Sequence, residues 1–488
     1  MQDFDQHVQE IQKFYSREQY VLALDKVNFL LRAGLGKFVD DEQSYLYEQK
    51  GLILHKLGEA EKAMQALKKA LLVSNILPNQ KRLCSAYLFE SHYVEGVSAK
   101  DMAERHFLYE RFFSGRIKQY THQKRDRAKL RIGYLSPDYR QHIIAYFAIQ
   151  MFACRNPERF EVIGYDLANS QDAVAAQLEA LSDGWHHIDG LTARQAAQQI
   201  YDDQIDILFD LAGHSEGGET LQIAAYKPAP VQISGIGYMS TTGLQAIDYF
   251  LTDVYCDPWG TNDAYFSEKL LRLPHSHFCY TPQQMAFFSL PEYQIHTPVV
   301  FGSFNNFSKI TDTMLCVWGE ILQRVPQARL LLKNSRPMSL RERSQLRKRA
   351  ELAGIDGRRL EIRACSNDYL MEYPEVDIAL DTYPYPGGGT TCEALYMGVP
   401  VITLEGERHG ARFGYSLLRN VGIAELSARN LSEYRNKAVA LAGDAVLLKL
   451  LHDNLRTMMK DSPVMDGKNY IRELEEAYEN IWQKWLSE

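Results

Sequence analysis

The sequence predicts an α/β protein: two lobes built on parallel sheets, preceded by an α-helical module. Three observations carry that reading. Residues 1 to about 115 show helical periodicity without strand alternation, and from Leu130 onward short apolar runs alternate with helical segments. A polar, proline-containing stretch from Thr281 to Thr297 then divides the alternation in two. A chain of 488 residues is too long for a single core. The boundaries drawn are 1–125 for the helical module, 126–280 and 298–465 for the lobes, 281–297 for the link and 466–488 for a closing helix.

In the module, Tyr45 to Gly58 and Glu59 to Leu71 read as paired helices. Gly51, Leu57, Gly58, Ala63, Leu67 and Ala70 stand where a tetratricopeptide pair places its small and apolar packing residues. Only this pair matches well, so a stub of two or three degenerate repeats is expected, serving as packing or docking surface. The basic run Lys124 to Arg131 reads as a solvated linker. Strands of the first lobe are expected at Leu130 to Ser136, Phe160 to Tyr165, Ile205 to Leu211, Val231 to Ile236 and Tyr249 to Thr252. Those of the second are expected at Val299 to Phe304, Arg329 to Leu332, Leu360 to Arg363, Ile378 to Leu380 and Val399 to Thr403. Tyr470 to Leu486 is an amphipathic helix expected to pack back across the body.

Hydrophobic content of 45% and charged content of 24% are those of a soluble globular protein. A formal charge of −8 gives no reason to expect nucleic acid as a partner. The seven cysteines show no CxxC or Cys/His metal spacing, so reduced thiols are expected. The N-terminus has no apolar core of signal-peptide length, and no run of about 18 apolar residues occurs, so a cytoplasmic location without a membrane span is expected.

The most informative stretch is Asp381 to Gly406. A buried strand runs into Gly387-Gly388-Gly389, a loop without side chains, and Thr390 or Thr391 caps a helix that leads to the next strand. A helix start of this kind presents unpaired backbone N–H groups and the positive end of the dipole, so a diphosphate can approach closely. Glu393, placed in the first turn, would reach ribose hydroxyls. The plainer alternative is a glycine turn that only lets helix pack on sheet. Because the helix is a crossover between parallel strands, its start lies at the edge where open α/β sheets bind ligands.

Four other places bear on chemistry. Lys309 follows the strand ending at Ser303-Phe304-Asn305-Asn306; a lysine there opposes the dipole of the next helix and suits a departing diphosphate. His142 follows the strand Gly133 to Ser136 and reads either as a general base, as an acceptor-orienting group or as a structural histidine. His214 ends Asp210-Leu211-Ala212-Gly213 and is expected on the same rim as His142, with Asp206 or Asp210 either orienting a histidine or capping loops. His275 and His277 have His-x-His spacing without a nearby acidic or cysteine third ligand, so no metal site is assigned and they are given to structure or the cleft rim.

Together these residues resemble the catalytic region of the O-linked N-acetylglucosamine transferases, glycosyltransferase family 41, in a bacterial form with a short repeat module. The likeness covers about Leu130 to Leu450 and rests on GYLSPDYRQH (Gly133 to His142), DLAGHSEGG and KPAPVQISGIGY (within Asp210 to Tyr238), TGLQAIDYFLTD (Thr242 to Asp253), FNNFSKI (Phe304 to Ile310) and GGGTTCEALYMGVPVITLEGERHGARFGYSLL (Gly387 to Leu418). The resemblance implies a two-lobed GT-B fold and inverting transfer from a UDP-sugar to a protein or peptide hydroxyl, with no metal or other cofactor. It implies that His142 is the base and Lys309 the diphosphate lysine. Asn306 replaces a glutamine that contacts the nucleotide, and Arg363 to Glu372, with Ala364, Ser366 and Tyr369, forms the uracil-contacting loop. Gly389, Thr390 and Thr391 match the phosphate turn, and Glu393 stands near the ribose-binding acid. This chain departs in having Tyr369 for a uracil-stacking histidine, Ser366 for a lysine, and Met239-Ser240 for a Pro-Gly pair.

The function expected is transfer of a sugar, N-acetylglucosamine first, from a UDP-sugar to Ser or Thr of proteins. The alternatives are a cytoplasmic N-glucosyltransferase acting on Asn and a UDP-sugar-binding adaptor with little turnover.

Overall fold

The computed structural model describes residues 2–33, 38–125, 127–282, 292–334 and 337–488. The module is helical, with Asp40–Lys56 and Ala60–Val73 as its closest pair. Gly51 makes that pairing possible: a Cβ there would lie 2.6 Å from Leu67 Cγ. Ala63, Leu67 and Ala70 are buried around it, as the repeat pattern predicts. Leu77–Glu90 and Ala99–Phe107 follow, and Tyr109, Phe112 and Phe113 then bury against Leu221, Ala224 and Leu244 of the first lobe.

The first lobe holds β1 (Leu130–Ser136), β2 (Phe160–Asp166), β3 (Gly184–His187), β4 (Ile207–Asp210), β5 (Val231–Ser234), β6 (Tyr249–Asp253) and β7 (Lys269–Leu273) in the order β3-β2-β1-β4-β5-β6-β7. The second holds β8 (Val300–Ser303), β9 (Arg329–Lys333), β10 (Leu360–Arg363), β11 (Ile378–Leu380), β12 (Val401–Leu404) and β13 (Ser427–Ala428) in the order β10-β9-β8-β11-β12-β13. The strands pair in parallel throughout. In each sheet the order reverses once, between β1 and β4 and between β8 and β11. Ligands of open α/β sheets sit at such reversals, outside the strands' carboxyl ends. The loops carrying His142, His214, Lys309 and Gly387 to Gly389 all leave these four strands.

Three strands were outside the sequence expectation. β3 is a half-exposed edge strand with two histidines, β7 an edge strand broken by Lys269 and Arg272, and β13 has 2 residues. The basic linker is also less solvated than expected. Arg127 Nε lies 3.7 Å from Asp206 Oδ1, and Arg131, inside β1, donates to Glu161 Oε2 at 2.9 Å. Part of the link, 283–291, lies outside the described residues.

The last helix, Gly467–Ser487, returns to the first lobe as its periodicity predicts. Its buried face carries Tyr470, Leu474, Tyr478 and Trp482, and the Tyr478 hydroxyl lies 3.3 Å from that of Tyr134. Where the chain leaves and re-enters the first lobe, Tyr280 N donates to Val464 O at 2.7 Å.

Candidate active site

The glycine turn is organised by a buried carboxylate. Asp381, directly after β11, accepts through Oδ1 from Gly387 N at 2.7 Å, Thr382 N at 2.8 Å and Asn305 Nδ2 at 3.1 Å. Through Oδ2 it accepts from Thr403 Oγ1 at 2.7 Å. It thereby ties the turn to the loops after β8 and β12. The helix that follows, Gly389–Tyr396, is capped by Gly388, and neither threonine is the cap. Thr390 Oγ1 donates to Asn305 Oδ1 at 2.9 Å and Thr391 Oγ1 to Gly387 O at 3.0 Å, so both hydroxyls brace the turn. The first intrahelical bond runs from Cys392 N to Gly388 O, which leaves the amides of Gly389, Thr390 and Thr391 as those the helix itself does not satisfy. An anionic group placed there would meet those amides and the positive dipole end together.

Lys309 stands beside this turn, as expected. Its ammonium donates to Pro386 O at 3.0 Å and lies 3.8 Å from the centre of the Tyr385 ring. Burial lowers its pKa to about 8, and Asp381 works in the opposite direction. Asn306 accepts from Ser308 N at 3.1 Å and so shapes the short turn that ends in Lys309.

Across the cleft, His142 caps the helix Ile143–Ala153. Its Nδ1 lies between Ile144 N–H at 3.4 Å and Asp138 Oδ1 at 3.5 Å. Burial lowers its pKa, opposed by the Asp138 charge, so the ring is kept neutral near pH 7. A Cβ on Gly389 would lie 2.3 Å from Ile143 Cγ1. The glycine therefore lets the clamp helix meet the first lobe one residue from His142.

The sequence pattern of glycosyl transferase family 41 matches residues 71–297 and 280–474. This chain belongs to glycosyltransferase family 41. Among curated relatives, the probable UDP-N-acetylglucosamine–peptide N-acetylglucosaminyltransferase SPINDLY of Solanum lycopersicum is 35% identical over 419 residues, 84% of this chain and 45% of its own length. The protein of that name from Arabidopsis thaliana is 38% identical over 365 residues, 72% of this chain and 39% of its own. The chain thus spans less than half the length of these relatives. The solved structure of a Thermobaculum terrenum O-GlcNAc transferase mutant superposes with a TM-score of 0.87 at 30% identity, covering 96% of this chain and 88% of that one. The two lobes are those of the GT-B fold.

Other residues of this family member stand differently from the sequence reading. Glu393 lies in the second turn of its helix, is 5% exposed, and accepts from the Tyr369 hydroxyl at 2.5 Å. Burial raises its pKa to about 7. Ser366 does not leave the base loop without a cation. Lys333, the last residue of β9, donates to Ser366 Oγ and Ala364 O at 2.8 Å and to Glu372 Oε1 at 2.5 Å. Sequence reasoning missed Lys333, although a lysine at the carboxyl edge of an apolar strand is part of the signal that singled out Lys309.

His214 is not on a rim with His142. It is 1% exposed, pairs with Ser85 at 2.9 Å and with Thr242 O at 2.8 Å, and meets the Tyr109 and Tyr238 rings at the joint with the helical module. Burial holds its pKa well below the ordinary value, so the catalytic role expected for it has no support here. Asp210 caps its own loop through Ala212 N and Gly213 N, and Asp206 accepts from Arg131 N; neither orients a histidine. His275 pairs with Glu473 and His277 with Asp253. Asp253, Cys256 and His277 do converge within 4.8 Å, a trio the spacing of the sequence hid. Asp253 Oδ2 already accepts from His277 N and Nδ1 and from Ser416 Oγ, so the trio is a hydrogen-bonded joint between the lobes. Met239 is 3% exposed and packs on Gly410 of the second lobe. The cysteines are free thiols, and among the described residues no helix is long and apolar enough to cross a membrane.

Proposed function

We propose that the chain is an inverting transferase that moves N-acetylglucosamine from its UDP conjugate to Ser or Thr hydroxyls of proteins. The observation that carries the reading is the placement of Lys309 and the amides of Gly389 to Thr391 at the β8/β11 reversal, with His142 facing them. The names of the curated relatives, UDP-N-acetylglucosamine–peptide transferases, support the donor and the polypeptide acceptor.

In the tautomer of His142 that acts, Nδ1 carries its proton toward Asp138 in place of accepting from Ile144 N–H, and Nε2 takes the proton of the acceptor hydroxyl. The hydroxyl oxygen bonds to the anomeric carbon from the face opposite the diphosphate as the carbon–oxygen bond to UDP breaks. The electron pair of that bond leaves with UDP, and the growing charge is met by the Lys309 ammonium and the helix amides. Tyr369 offers a ring to the base, and Glu393 lies beside it for the ribose.

The test is UDP release from UDP-N-acetylglucosamine with a Ser/Thr-bearing polypeptide, and mass spectrometry of the product. Lys309→Ala is expected to lower the rate by about 10²–10³. Sugar found on Asn would replace the hydroxyl acceptor with an amide. UDP binding without transfer across a panel of donors and acceptors would remove the enzymatic reading.

A further inference from the structure

Lys309 closes a circuit of contacts that runs through the helical module. Its ammonium sits over the Tyr385 ring at 3.8 Å. Tyr385 meets the ring of Tyr93, from the module, edge-on at 5.1 Å. Tyr93, 6% exposed, meets His55 at 4.9 Å with the rings at 87°. The His55 ring is held by Glu90 at 2.8 Å, and its backbone oxygen accepts from Ser308 Oγ at 3.0 Å. Ser308 precedes Lys309, so the path returns to its start. A second tie lies just beyond, where Thr313 Oγ1 donates to Glu95 Oε2 at 2.6 Å.

The chemistry of the circuit is directional. The electron-rich face of Tyr385 holds a cation, and a ring gripped at its edge by another aromatic cannot swing aside. The ammonium is thus aimed at the clamp by a residue more than two hundred positions away in the chain. We infer that Tyr93 is a positioning residue for Lys309, acting through Tyr385, and that the helical module is a working part of the donor site.

This rests on the donor role proposed for Lys309, and a double-mutant cycle separates the two. Turnover of UDP-N-acetylglucosamine is measured for the full chain carrying Tyr93→Ala, Lys309→Ala and both. Tyr93→Ala is expected to lower kcat by roughly 10- to 100-fold, because small misplacements of a charge-stabilising group carry that cost. Donor KM should change less than about threefold and Tyr93→Phe should restore the rate, since the ring edge is kept. In the Lys309→Ala background Tyr93→Ala should change nothing further. Tyr385→Leu, which removes the ring from the lysine side, should reproduce Tyr93→Ala and serves if that variant folds poorly. Equal losses from Tyr93→Ala with and without Lys309 would overturn the positioning role alone. Unchanged turnover in Lys309→Ala would overturn the donor-site reading and this inference with it.

Discussion

The Tyr369 hydroxyl donates to Glu393 Oε1 across 2.5 Å, joining the base loop to the second turn of the clamp helix. The bond engages a buried carboxyl whose pKa is raised by burial from 4.5 to about 7. Between those two values the unfolded chain gives up the proton while the folded protein keeps it. Stability therefore falls as pH rises from about 4.5 to 7 and is level above 7. Glu393→Gln removes this dependence while keeping an acceptor for Tyr369. It should melt above the parent at pH 8, with a ceiling of about 3 kcal/mol, and match it near pH 4. Thermal unfolding at the two pH values checks this; an equal difference at both would sink it.

Lys309, whose pKa burial lowers to about 8, should give kcat/KM an alkaline limit. The value of kcat/KM should fall as pH rises through about 8, when the ammonium loses the proton that lets it meet the diphosphate. Lys309→Arg, whose guanidinium stays charged, should show no such limb whatever its absolute rate. Profiles of kcat/KM against pH, which report groups of the free enzyme, decide the matter for the two proteins.

Gly389→Ala should separate the lobes at the clamp. The added carbon would meet Ile143 Cγ1 at 2.3 Å, a distance that requires the helix start or its neighbour to move. A loss of activity of about tenfold or more is expected, since the shift displaces His142 relative to the clamp amides. Ile143→Ala in the same chain should recover most of it, and kinetics of the single and double variants test the pair.

Asp381→Ala leaves the amides of Gly387 and Thr382 and the hydroxyl of Thr403 without their buried acceptor. Melting should drop by the equivalent of about 1–3 kcal/mol, and stabilisation by added UDP should be lost. Asp381→Asn should lose less, because its oxygen can face the amides while the Thr403 hydroxyl turns to accept.

The fold was legible wherever burial left an apolar run. β1, β2 and β8 are covered on both faces and read clearly, whereas β3 and β7 lie at sheet edges where polar residues are tolerated. The clamp was legible because a glycine turn between two apolar strands has a local signature. His214 was misplaced for the opposite reason. Its partner Ser85 lies 129 residues away, and nothing near His214 in the chain announces that a helix covers that corner. Tyr385 and Tyr93 escaped notice likewise, because a ring placed over a lysine leaves no spacing to read.

The second lobe begins and ends at a single spot on the first, marked by the Tyr280 N to Val464 O bond of 2.7 Å. Domain insertion and exchange are tolerated best where the two ends of the inserted piece lie side by side. The second lobe can thus be exchanged for a foreign counterpart through two neighbouring splice points, provided the Asp253–Ser416 joint between the lobes is kept.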